Sequence, residues 1–176
     1  MPLDRNAPDS HLAIKRFDSI ALSGKALGIL VKAFVETGSA IQFSARGESM
    51  FPFIKDGDII LISPYGDVPP RPGDMVAFID AGTEKLIVHR LIRVSPEGFT
   101  AKGDNCYHLD APQPRNNILG YVSRINNRND FLWGIQYIKI RKIVTFFSLF
   151  GLTAILGRML RKIDKLTSPR EGYRLF

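Results

Sequence analysis

A serine hydroxyl attacks a peptide carbonyl at neutral pH only when a base stands within hydrogen-bond reach to take its proton. Ser49 and His89 are the candidates for that chemistry. Ser49 lies in the turn-rich run Gly47-Glu48-Ser49-Met50-Phe51-Pro52, which continues through Phe53 and Ile54 into Lys55-Asp56-Gly57-Asp58. His89 lies in the apolar run Leu86-Ile87-Val88-His89-Arg90-Leu91-Ile92-Arg93-Val94. Strand alternation would put His89 on one face with Ile87 and Leu91. Burial there costs an imidazole hydration, which favours the neutral acceptor that a general base requires. Taken singly, Ser49 reads as a turn serine and His89 as a core histidine; together they read as nucleophile and base.

Two further boxes follow the same order: Pro72-Gly73-Asp74-Met75-Val76 before His89, and Lys102-Gly103-Asp104-Asn105 after it. In order and spacing the four boxes, from residue 47 to about 125, resemble the signal peptidase I family of serine endopeptidases, in its Ser-His branch. The resemblance implies a mainly β fold, a signal-peptidase-like core of small curved sheets. It also implies cleavage of a peptide bond in an extended, signal-peptide-like or precursor substrate, with Ser49 as nucleophile and His89 as base. Met50, Pro52 and Val88 would then line the substrate, and no cofactor is implied. A histidine base needs an acid to hold its tautomer, and the branch's spacing from Asp104 lands on Asp110. Asp104 would instead shape the turn beneath the site. His108 is the alternative base.

The nucleophile turn departs from that family. Its members commonly carry Ser-Gly-Ser, the first serine lending a hydroxyl to the oxyanion; here Gly47 stands there and Glu48 follows. The oxyanion would depend on backbone N–H groups, that of Ser49 first. A serine at position 47 would restore the donor, worth ~1–3 kcal/mol in the transition state, provided the backbone accepts a side chain. Glu48 puts a negative charge beside the place where another must develop, unless it faces solvent or pairs with Arg46 or Arg90.

The elements that must position these residues are legible as short runs. Residues 41–45, 59–62, 75–79, 86–94, 99–101 and 119–125 are apolar or β-branched between Gly, Pro, Asp and Asn clusters, as strands require. The proline-rich stretch 64–72 is a loop. A helix is expected over 18–38, capped by Asp18 or Ser19, with Leu22, Ala26, Ile29, Leu30, Ala33 and Phe34 at helical spacing and Gly38 at its C-terminal stop. Residues 1–17 would be a loosely ordered leader without the pattern of a secretory signal peptide. The peptidase-like domain would span 18–130 and a helical tail 131–176.

The net charge of +7 belongs to that tail: residues 1–132 balance, whereas 133–176 carry nine basic residues against Asp164 and Glu171. Residues 143–157 hold no charge. As a helix they would reach ~22 Å, short of a ~30 Å hydrocarbon core, so a short span, an interfacial helix or a core-covering helix are all open. Flanking basic residues point to contact with an anionic membrane through residues 133–165, and so to a membrane-associated protein. Nucleic acid is disfavoured, because the charges frame a greasy segment and do not line one polar face.

With 45% apolar residues the chain can build a core. Its single cysteine, Cys106, excludes an intrachain disulfide. No sequence feature near Cys106 would lower its thiol pKa and make it a nucleophile. No metal-ligand spacing is present. Three functional classes follow: an endopeptidase acting on another chain, a self-cleaving regulator of the SOS-repressor type, which shares this β fold, and an idle peptide-binding module. The repressors use lysine as base and cut at Ala-Gly or Cys-Gly upstream of the serine. The one Ala-Gly here, Ala81-Gly82, lies downstream.

Overall fold

The computed structural model describes residues 14–16, 23–126 and 155. Eight strands, β1 (Ile14–Arg16), β2 (Ala40–Ser44), β3 (Ile59–Ser63), β4 (Met75–Ile79), β5 (Leu86–Val94), β6 (Gly98–Lys102), β7 (Gln113–Pro114) and β8 (Ile118–Asn126), join in one sheet of order β1-β2-β3-β8-β4-β5-β6-β7. All pairs are antiparallel except β1 with β2. The expected small separate sheets are thus one continuous ladder, because the nine-residue β8 pairs with β3 on one side and β4 on the other. Register shifts at Leu61/Ile62, Ala77/Phe78 and Leu91/Arg93 supply the bends.

Alternation explains why β4 is a continuous apolar run. Met75 and Ala77 enter one core with Val31, Ile41, Ile60, Ile62 and Val122, while Val76 and Phe78 enter a second with Leu91, Phe99 and Ala101. A strand covered on both faces has no polar side to show. β1, β7 and the short turn of 3₁₀ helix at Arg115–Asn117 escaped the sequence reading, being only two or three residues each.

The helix α1 (Gly24–Glu36) is shorter than the expected 18–38, and Ser23 caps it, its Oγ accepting the Ala26 N–H at 3.3 Å. Asp18 and Ser19 lie outside the described residues. Gly38 does follow the C-terminus, at φ +74°. The buried face is offset from the expected stripe: Gly28 and Val31 are buried, and Ile29 is 73% exposed. Gly28 decides this, since a Cβ there would sit 2.6 Å from Ile79 Cδ1. The bare backbone lets α1 approach the start of β5, and Leu27 and Leu30 follow it inward.

The membrane-contact expectation for residues 133–165 is corrected. Among the described residues no helix is long and apolar enough to cross a membrane. The 13 residues of α1 make only ~20 Å of helix against a ~30 Å core. The tail itself, apart from Ile155, lies outside the described residues, and the expected C-terminal helix falls there; neither membrane attachment nor membrane localisation is retained.

Candidate active site

β2 runs into the turn that carries Ser49, and β5 carries His89 at its middle. The turn is closed locally: Gly47 N–H donates to Asp56 Oδ1 at 2.8 Å, Lys55 N–H to Asp58 Oδ2 at 2.7 Å, and Gly57 N–H to the Ala45 carbonyl at 2.9 Å. Lys-Asp-Gly-Asp is therefore the clasp of the Ser49 turn. Beneath it Met50, Phe51, Pro52 and Ile54 are buried.

Ser49, His89 and Asp110 come together. Ser49 Oγ lies 3.0 Å from His89 Nε2, and Asp110 Oδ2 lies 2.7 Å from His89 Nδ1. His89 is 8% exposed, its ring edge-on to Phe78 at 6.4 Å between centroids. Asp110 reaches it from the 103–112 loop, pinned by its own N–H to the Ala101 carbonyl at 2.9 Å. A carboxylate on Nδ1 makes that nitrogen the donor and leaves Nε2 free to accept a hydroxyl proton. His108, the alternative base, is exposed and plays no part in this hydrogen-bonded chain.

Asp104 is fully buried and forms a bidentate pair with Arg90, Nε to Oδ1 at 2.8 Å and Nη2 to Oδ2 at 2.7 Å. Arg90 Nη1 also donates to the Gly73 carbonyl at 2.9 Å, and its guanidinium stands 5.0 Å from the Phe53 ring centroid. With its guanidinium so engaged, Arg90 is not the partner sequence reasoning offered to Glu48, which is exposed. The sequence alone gives Asn105 no role and Arg90 none beyond that offer to Glu48, although the signal is present in Arg90 following His89 and Asn105 following Asp104. Gly103 allows this loop to close on the site. A Cβ there would lie 2.7 Å from the Ser49 carbonyl oxygen and 3.1 Å from His89 Nε2.

Burial, then the charge of Asp110, pushes the Cys106 thiol above its ordinary pKa, so it stays protonated and unreactive at neutral pH. Burial pulls Lys102 below the usual lysine range against the opposing charge of Asp104. Lys102 is the register partner of Arg90, which places it on the sheet face away from His89.

Beside Ser49 and His89 opens a cleft of about 360 Å³, walled by Leu27, Phe43, Met50, Ile54, Leu86 and Val88. Met50 and Val88 line it, whereas Pro52 is buried in the turn and does not. Gly47 sits at φ +86°, where a side chain is strained. The expected gain from a serine at 47 is therefore replaced by a loss: Gly47→Ser should cost ~1 kcal/mol of stability, read by chemical denaturation, and should not speed reaction at Ser49. Because Glu48 is exposed, Glu48→Gln should leave labelling of Ser49 by a fluorophosphonate unchanged or faster. A tenfold slower reaction would give Glu48 a role in catalysis.

The sequence model of the peptidase S24-like family matches residues 14–119. The chain belongs to that family. No curated protein matches the sequence significantly. The match covers most of the span that carries the four boxes, which therefore mark a peptidase core and do not single out signal peptidase I. That assignment is corrected, and with it the expectation of an endopeptidase processing signal-peptide-like precursors. The S24-like chain has a peptidase-family fold consistent with protease activity, a mostly β core with one N-terminal helix.

Proposed function

We propose that this S24-like chain is a self-cleaving serine peptidase, with Ser49 as nucleophile, His89 as general base and Asp110 as the acid that orients it. The hydrogen-bonded chain Asp110–His89–Ser49 is the observation that carries the reading of the residues. Family membership supports self-cleavage over processing of exported precursors. The self-cleaving repressors of this fold use lysine as base; here the partner of the Ser49 hydroxyl is an imidazole.

The chemistry follows from the geometry. Ser49 Oγ attacks the carbonyl carbon as its proton passes to Nε2, and Asp110 stabilises the imidazolium that results. The tetrahedral intermediate then collapses, the imidazolium protonating the leaving amine, and water hydrolyses the acyl-enzyme by the same base. An extended segment can reach Ser49 along β5. Among the described residues, Leu86–His89 of that strand pairs with β4 alone, and β6 joins only at Arg90. The open edge borders the apolar cleft, where a strand can add by backbone hydrogen bonds. α1 forms the cleft's other wall through Gly24 and Leu27.

The test is intact-mass analysis of purified protein over days, beside Ser49→Ala. Two fragments whose masses sum to the chain plus water, absent from Ser49→Ala, support self-cleavage, and a rate independent of protein concentration makes it intramolecular. A wild-type chain that labels at Ser49 with fluorophosphonate yet stays full length would refute self-cleavage while keeping the nucleophile.

A further inference from the structure

Asn105 touches the nucleophile turn twice. Its side-chain Nδ2 donates to the Glu48 carbonyl at 3.0 Å, and its backbone N–H donates to the Ser49 carbonyl at 2.7 Å. These two carbonyls belong to the two peptide planes that flank the Ser49 Cα. One residue therefore holds both planes.

We propose that Asn105 is a positioning residue that aims the Ser49 N–H at the oxyanion of the tetrahedral intermediate. The inference rests on the reading of Ser49 as nucleophile. In a trans peptide the carbonyl oxygen and the following N–H point to opposite edges of one rigid plane. Fixing the Glu48 oxygen from behind, with Asn105 Nδ2 and the Phe51 N–H at 3.1 Å, therefore fixes the direction of the Ser49 N–H. A donated hydrogen bond on that oxygen also polarises the amide and makes its N–H a stronger donor. This matters more here than in a site with a second hydroxyl donor, because position 47 is glycine and supplies none.

The placement of Asn105 has its own cause. Asp104, its neighbour, is clamped by Arg90, and Arg90 is the residue after His89 on β5. One strand thus positions the base directly and the nucleophile's backbone through Arg90, Asp104 and Asn105. The bond from Asn105 Nδ2 needs a donor of this length, and aspartate has the same shape without the donor.

The experiment compares wild type, Asn105→Ala and Asn105→Asp by the saturation kinetics of fluorophosphonate labelling at Ser49. The maximal labelling rate should fall about tenfold to a hundredfold in Asn105→Ala and at least as far in Asn105→Asp, with the half-saturating probe concentration unchanged. A role in shape alone predicts Asn105→Asp at the wild-type rate, and that result would overturn the proposal. The Ser49 amide resonance in ¹H–¹⁵N spectra reads the peptide plane whether or not the serine reacts. It should move in Asn105→Ala while the amides of Phe43 and Ile60 stay. If wild type fails to label, the nucleophile reading falls, and an unmoved Ser49 amide overturns the role of Asn105 separately.

Discussion

Ser49→Ala and His89→Ala should each slow self-cleavage by about 10⁵-fold or more, and the double variant should be no slower than either single. Nucleophile and base make one proton-transfer unit, so the second loss removes nothing the first has left. The 3.0 Å contact between Ser49 Oγ and His89 Nε2 is the whole of that unit. Asp110→Asn should cost about 10⁴-fold, because an amide at 2.7 Å from Nδ1 can donate to it and turn the imidazole to the wrong tautomer. Fragment appearance by mass spectrometry gives the rates, and far-ultraviolet circular dichroism checks that each variant is folded. Wild-type cleavage in His89→Ala would remove His89 from the mechanism and move attention to His108.

The largest stability effect should come from the pair beneath the site. Arg90 and Asp104 are both fully buried, so Arg90→Met or Asp104→Asn strands one charge in the interior and should cost ~3–5 kcal/mol. Replacing both, as Arg90→Met with Asp104→Leu, should recover much of that loss, since two charges no longer need hydration inside the protein. Folding would then return without activity: the 103–105 turn would lack its anchor, and with it the hold of Asn105 on Glu48 and Ser49. Urea denaturation measures the first effect and phosphonate labelling the second. Single variants within ~1 kcal/mol of wild type would show that the pair is not what holds the turn.

The strand positions were legible because their apolar runs are bounded by glycine, proline and aspartate, and the bounds at 75–79 and 86–94 match the structure. The helix was legible as a helix, and its buried face in part: Leu30 and Phe34 of the expected stripe pack against the core, while Ile29 is exposed and Gly28 turns its bare backbone toward Ile79. The family was legible only as far as the shared peptidase core. The boxes around Ser49, His89 and Asp104 lie within the matched residues 14–119, and they do not by themselves separate signal peptidases from S24-like proteins.

By itself, then, the sequence determined Ser49 and His89 as candidates, since few side chains can serve as nucleophile and base, while Asp110 followed only from the resemblance to the Ser-His branch and its spacing from Asp104. Only the tertiary structure decided how they meet. The pairing of β5 with β4 and β6 sets the height of His89, the Arg90–Asp104 bond draws the 103–105 turn under Ser49, and Gly103 leaves room for the approach. The left-handed backbone at Gly47 likewise decided that a hydroxyl donor could not simply be added there. These are contacts between segments that lie far apart along the chain, and their distances depend on strand register and buried charge, which no local pattern of residue types encodes.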